Sequence, residues 1–237
     1  MERLEFFPLG DAGIVLKLGD VIDEQTRQKI MAISAYLEQQ PLPGMTEYVP
    51  SYTTVTIYYD PLAWRDPLGQ ELAYDRFQAA LENQLRQLSF SAASEQRVVD
   101  IPVCYGGQYG PDLQEVSEYH GLTQEEVIQI HSGQAYIVHM IGFAPGFPYL
   151  GGLDKRIATP RRSTPRTAIA PGSVGIGGAQ TGVYPLESPG GWQIIGRTPE
   201  RLFRPEEHPP SLLRAGDRVR FVPISAAEYE QRKQVGR

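Results

Sequence analysis

Hydrophobic and polar positions change rhythm near the middle of this chain. In EFFPLGDAGIVLKLG, residues 5–19, two apolar runs flank a Gly-Asp turn and predict a pair of short strands. From Asp23 to Gln39 the residues Ile30, Ile33 and Leu37 fall on one stripe. That spacing predicts a helix opened by Asp23 and ended by Pro41 and Pro43. Within TEYVPSYTTVTIYYDP, Val55, Ile57 and Tyr59 alternate with Thr54, Thr56 and Tyr58, a strand with one face in and one face out. Pro67 to Leu88 reads as a second helix, with Phe77, Leu81, Leu85 and Leu88 on one side. Strands and two helices over residues 1–92 predict a small α+β domain whose helices cover one sheet face.

The small, polar stretch SFSAASEQR, residues 89–97, is read as a linker, and the second domain as 93–237. RVVDIPVCYG predicts a strand, followed by short helices near 111–120 and 123–132. The second of these opens on a capping box, with Thr123 as the cap and Glu126 reaching back. From Ala135 onward helix-length periodicity disappears. Short apolar runs (AYIVHMI, SVGIGG, WQIIG, RVRFVPI) are divided by Gly and Pro, a spacing that suits a β-barrel or sandwich. RAGDRVRFVPIS reads as a closing turn and strand. The fold class expected is therefore α+β, with an α+β first domain and a β-rich second one.

Charge narrows the functional classes. A net charge of −6 and a pI near 5.3 exclude an ordinary nucleic-acid binder, which needs a basic surface. No apolar stretch approaches the roughly 20 residues of a membrane span. The single cysteine, Cys104, has no disulfide partner and no second thiol for a zinc site; no residue is assigned to a metal, and whether one accompanies a ligand is left open. A soluble cytoplasmic protein is the resulting expectation. Charge is nevertheless uneven: eight bases against three acids give residues 154–204 a charge of +5, leaving −11 for the remainder. Such an island either focuses small anions or is a solvated face of arginines.

Familiar catalytic signatures are few. GSVGIGGAQTG lacks the Lys-Ser/Thr end of a phosphate-binding loop and lies between short β runs, not before a long helix. His120, His131, His139 and His208 are dispersed. His139, in an apolar strand, reads as a hydrogen-bonded core histidine, and Cys104 as inert packing. Four segments stand out together: GFAPGFPYLGG, KRIATPRRSTPR, TPRTAIAPGSVGIGGAQTG and YPLESPGGWQIIGRTP. The first joins three rings to four glycines and two prolines. Gly/Pro corners and core aromatics of a barrel would account for any one segment; the four together favour a site. Arg166 and Arg197 are the candidate anion grips, with Gln180 and Thr181 as polar contacts. Gly146, Gly172, Gly190 and Gly191 would admit close backbone approach, and Phe147 and Trp192 would form apolar walls.

GFAPGFPYLGGLD, the PRR and PR pairs after it, GSVGIGGAQTGVYP and SPGGWQIIGRTP resemble the family of the 5-oxoprolinase B subunit, also called allophanate hydrolase subunit 1. That family includes KipI-like inhibitors of a sensor histidine kinase. The likeness runs from GDAGIVLKLG through EYVPSYTTVTIYYDP to LLRAGDRVRFVPI, departing at IAPGS, residues 169–173, where the family places Pro before Ala. The resemblance implies a cyclophilin-like β-barrel for the second domain. It further implies work with the C and A subunits as an ATP-dependent 5-oxoprolinase that opens 5-oxo-L-proline to L-glutamate, the chain being inactive alone and ATP being bound by or shared within the complex. Inhibition of a sensor histidine kinase is the alternative it carries, with the rings of GFAPGFPYLGG as the docking patch. Prolyl isomerisation would rest on fold analogy alone, and the arginine-and-aromatic site it requires is not legible in the sequence.

Overall fold

A computed structural model describes residues 4–86, 88 and 97–235. Two compact units divide the chain, Met1–Glu95 and Gln96–Arg237. Residues 89–96 of the expected linker lie outside the described residues.

The first unit is built from β1 (Glu5–Pro8), β2 (Gly13–Lys17), α1 (Glu24–Gln39), β3 (Met45–Pro50), β4 (Thr54–Tyr59), a 3-10 turn at Pro61–Trp64 and α2 (Ala73–Leu85). The strands pair antiparallel in the order β1-β2-β4-β3. Asp23 caps α1 by accepting the Thr26 N–H at 2.8 Å. The alternation in β4 survives folding, since Val55, Ile57 and Tyr59 are all buried. They meet Ile30, Ile33 and Leu37 of α1 and Phe77, Leu81 and Leu85 of α2 in one core, where Tyr59 stacks on Phe77 at 4.1 Å. TEYVPSYTTVTIYYDP makes a hairpin of two strands, and Pro50 is accommodated on the edge strand β3, where no inner ladder needs its N–H. The second helix starts at Ala73, later than Pro67. The Asp66 carboxylate instead accepts N–H groups from Leu68, Gln70 and Glu71, and Gly69 adopts φ 67°. That side-chain-organised turn outcompetes another helical turn.

The second unit contains β5 (Val98–Tyr105), α3 (Leu113–His120), α4 (Gln124–Ser132), β6 (Ala135–Ile141), β7 (Pro148–Gly151), β8 (Arg166–Ile169), β9 (Ser173–Gly177), β10 (Gln180–Val183), β11 (Ser188–Gly190), β12 (Gln193–Arg197), β13 (Arg218–Pro223) and α5 (Ala226–Val235). Seven strands close a barrel in the order β10-β7-β6-β13-β5-β12-β9. Every pair in it is antiparallel except β13 with β5. Closure leaves no open edge, which is how a unit of short strands avoids pairing with other chains. Strands β8 and β11 form a separate two-stranded ribbon.

The barrel is filled by Ile101, Val103, Tyr136, Val138, Leu150, Val174, Ile176, Val183, Ile195, Val219 and Phe221, all at most 1% exposed. Helix α3 packs on β12 and α4 on β13. The Thr123–Glu126 capping box forms as its sequence predicts. Helix α5 has little periodic signal, because its mean hydropathy is low and its core contact is a single ring, Tyr229, against Tyr109 and Cys104. What announces it is local: Ser225 and Glu228 exchange capping-box bonds at its start. Cys104 is 5% exposed and burial pushes its thiol up, the condition of an unreactive cysteine. Among the described residues no helix is long and apolar enough to cross a membrane.

Candidate functional site

GFAPGFPYLGG, 142–152, turns its middle ring, Phe147, inward. Phe147 is 2% exposed and sits at the centre of an edge-to-face cluster, with Phe143 at 5.4 Å, Tyr149 at 5.0 Å, Tyr184 at 5.3 Å and Trp192 at 5.7 Å between centroids. The glycines are there to make room for rings. A Cβ on Gly177 would lie 2.5 Å from Trp192 Nε1, and one on Gly190 2.5 Å from the Tyr184 hydroxyl. One on Gly182 would meet the Trp192 ring at 3.1 Å and the Phe147 ring at 3.3 Å. The GSVGIGG run is thus barrel strand and hairpin that supports an indole. Gly177→Ala is expected to destabilise the protein by about 1–3 kcal/mol, because the indole has no free space behind it; urea unfolding followed by fluorescence measures this.

Phe143 alone among the segment's rings is exposed, at 64%, and it holds φ 69°, a left-handed conformation unusual for a bulky residue. The docking patch expected from this segment therefore reduces to Phe143 with half-buried Tyr149. Phe147 belongs to the core, so Phe147→Ala would report on packing before it reported on any partner.

Beside the rings lies a carboxylate clamp. Asp112, 3% exposed, accepts two bonds from Arg166 at 2.7 and 2.8 Å, one from Arg162 at 3.0 Å, and one from the Ile194 backbone N–H at 2.6 Å. Its own N–H donates to the Ile194 carbonyl at 2.9 Å. The residue stands at the start of α3 yet makes no side-chain cap there, because its carboxylate is turned toward the arginines. The Arg166 fork, the expected anion grip, is bidentate to an internal carboxylate, which ties β8 to α3 and β12.

The other expected contacts divide. Gly190, Gly191, Phe147 and Trp192 gather at the ring cluster, and Gln180 pairs with Gly177 in the β9–β10 hairpin beside it. Arg197 does not join them. It sits at the far end of β12, about 16 Å along the strand from Trp192, where Nε donates to the Pro171 carbonyl at 2.8 Å. Gly172, with φ 82°, belongs to the turn that Arg197 props, where a Cβ would lie 2.3 Å from the Thr198 carbonyl; its N–H donates to the Tyr184 carbonyl at 2.7 Å, beside the ring cluster. Gly146 adjoins Leu202 and Phe203. Thr181 is fully buried with its hydroxyl engaged on both sides, so it offers nothing to a ligand.

Thr181 is one end of a polar chain through the barrel. Its hydroxyl donates to the Gly175 carbonyl at 2.9 Å and must therefore accept from His131 Nε2–H, also at 2.9 Å. His131 Nδ1 is left to accept the Tyr105 O–H at 2.8 Å. The imidazole, fully buried, stacks on Phe221 at 4.6 Å and bridges β5 to β10, strands that are not neighbours in the barrel. Burial lowers its pKa to about 3, so it is neutral at pH 7. Burial also raises the Tyr105 phenol well above 10, keeping its proton available to donate. The core histidine is thus His131 and not His139. His139 is half-buried at a register shift between Val138 and Met140, with its ring lying where a Gly151 Cβ would be. The signal for His131 is its place four residues after Val127 on the buried face of α4.

A groove of about 1140 Å³ in the first unit, lined among others by Lys17, Asp23, Lys29, Glu82 and Arg86, contains none of these residues. Among the described residues no three His, Cys, Asp or Glu side chains are placed to hold a metal ion.

Comparison with known proteins gives this fold relatives over nearly its full length. Residues 4–213 match the family described as carboxyltransferase domain, subdomain C and D. The 5-oxoprolinase B subunit of Bacillus subtilis (strain 168) is 48% identical over 98% of this chain and 98% of that protein. The protein of the same name from Escherichia coli O157:H7 is 42% identical over 94% of this chain and 97% of its own length. Among solved structures, TTHA0988 has a TM-score of 0.77 at 35% identity, covering 90% of this chain and 40% of that longer one.

Proposed function

The chain belongs to the carboxyltransferase subdomain C and D family together with the 5-oxoprolinase B subunits, and from that premise we propose that it is one component of an ATP-dependent 5-oxoprolinase. The observation that carries the reading is the 48% identity to the Bacillus subtilis protein, end to end. The reaction is the opening of 5-oxo-L-proline to L-glutamate, performed with the C and A subunits and with ATP as co-substrate.

The chemistry explains why several chains are needed. An unstrained lactam is a poor electrophile. Phosphorylating its oxygen activates the ring carbon. Water adds there, the C–N bond breaks with the nitrogen leaving as the amine, and a second water hydrolyses the resulting acyl phosphate to glutamate and phosphate. These stages develop negative charge, which fixed guanidinium groups and backbone N–H donors stabilise. In this chain the ring cluster around Phe147 and Trp192 supplies rigid apolar ground, and the Asp112 clamp holds the basic segment 160–166 against it. The sequence GSVGIGGAQTG lacks the Lys-Ser/Thr end of a phosphate-binding loop, in keeping with an ATP site completed by another component.

The test is co-purification with the C-subunit homologue, addition of the A-subunit homologue, and measurement of ATP hydrolysis with and without 5-oxoproline. Turnover that requires 5-oxoproline and the assembled components, with none from this chain by itself, is expected. An assembly that neither binds nor hydrolyses ATP in response to 5-oxoproline would overturn the reading.

A further inference from the structure

Residues 160–162 run alongside 191–193 as a strip fastened at both ends. The Arg162 N–H donates to the Gly191 carbonyl at 2.7 Å, and Gln193 Nε2 donates to the Pro160 carbonyl at 3.2 Å. Arg161 lies between these two anchors, and Trp192 lies between their partners. Across the strip the Arg161 guanidinium carbon stands 5.9 Å from the Trp192 ring centroid, within cation–π range. The platform is itself packed in place: Trp192 is 4% exposed and lies against Gly177 from behind.

Arg161 differs from its neighbours in the basic island in what it is left to do. Arg156 pairs with Asp154, Arg162 and Arg166 with Asp112, Arg201 with Glu206, and Arg204 with Glu200 and Glu207. Arg197 donates to a carbonyl at the far end of β12. Arg161 is exposed and forms no ion pair with a described residue. Its charge nevertheless falls in the same neighbourhood as Arg166: burial raises the Tyr184 phenol against the opposing pull of the Trp192 N–H and of these two guanidinium groups. Gln193, which makes the second anchor, is 4% exposed, and its Oε1 accepts no hydrogen bond from a described group. A buried acceptor of that kind is costly unless something donates to it. One strip thus holds an ordered cation and an unpartnered acceptor side by side.

We propose that Arg161, laid over Trp192 by its two backbone anchors, is the residue that takes the anionic group of the ligand, a carboxylate or a phosphate. This rests on the 5-oxoprolinase reading above, in which the carboxylate belongs to 5-oxoproline and the phosphate to ATP. A guanidinium whose backbone and platform are fixed before binding loses little freedom on meeting an anion, which is what makes such a contact effective.

The experiment has two arms. In the assembled enzyme, Arg161→Ala raises KM for 5-oxoproline about 10- to 100-fold, the size of a lost charged hydrogen bond. Arg161→Lys recovers part of that loss, and thermal unfolding of the chain is unchanged because the side chain is exposed. A rise in KM for ATP instead assigns the same residue to phosphate. In the second arm the chain alone carries Trp64→Phe, so that Trp192 is the only indole, and its fluorescence is titrated separately with 5-oxoproline and with inorganic phosphate. A saturable change that Arg161→Ala abolishes supports the proposal. If both KM values survive Arg161→Ala, the proposal falls. Where the wild-type assembly shows no 5-oxoproline-dependent ATPase, the enzymatic reading falls by itself. The titration then decides Arg161, which is rejected if the Trp192 signal does not change or changes equally without the guanidinium.

Discussion

Asp112→Ala is expected to lower the stability of the second unit by about 3–5 kcal/mol, the scale on which removal of one partner from a buried charge pair registers. The substitution deprives three groups at once: the Arg166 fork, Arg162 and the Ile194 backbone N–H. Both guanidinium groups are less than a third exposed, so water does not fully replace the lost carboxylate. On the usual scale for a unit of this size the melting temperature falls by roughly 10 °C. Asp112→Asn should lie between, since one carbonyl oxygen still accepts from Ile194 while the guanidinium charges go unanswered. A cycle with Arg166→Met separates the pair from the rest: the double variant should be less damaged than the two single losses added together. Strict additivity would mean that the bidentate contact carries no energy of its own.

The second large effect is set by pH. His131 has a folded pKa of about 3 against 6.5 for the free side chain. Above pH 6.5 it is neutral in both states and its contribution to stability is complete. Between 6.5 and about 3 only the unfolded chain takes up the proton, so stability falls as the solution is acidified. The slope from this one group approaches 1.4 kcal/mol per pH unit, a total on the order of 5 kcal/mol. His131→Gln removes the titration. At pH 7 the variant should be less stable than the wild type by about 1–3 kcal/mol, having lost the links to Tyr105 and Thr181. That deficit should shrink, and then reverse, as urea-unfolding series are repeated from pH 7 down to pH 4. Other groups titrate equally in both proteins and cancel in the difference. A deficit independent of pH would show that the imidazole is not held neutral by burial.

How much of this is legible in the chain follows the range of the forces concerned. Val55, Ile57 and Tyr59 announce a one-sided strand because side chains alternate along any strand, and Thr123 with Glu126 announces a helix start because the cap is built from four consecutive residues. Where one local signal misleads, another local signal has won: Asp66 holds three N–H groups in a turn and delays α2 to Ala73. The site residues behave differently. Arg166 and Arg197 look alike in sequence, each an arginine next to a Gly/Pro corner. One is clamped by a carboxylate 54 residues away, and the other props a turn at the opposite end of a strand. His131 and His139 are separated only by which of them the barrel closes over.

Short-range order is therefore written into the chain itself: where strands and helices start, which faces are apolar, and that a glycine-rich, ring-bearing, basic second half must fold as many short strands. The folded barrel alone decided which guanidinium groups are consumed by Asp112 and which one is left lying across Trp192. The physical reason is that hydrogen bonds and ion pairs act over a few ångströms of space. Sequence sets neighbours along the chain, whereas the fold brings Arg166 to Asp112 and Arg161 to Trp192.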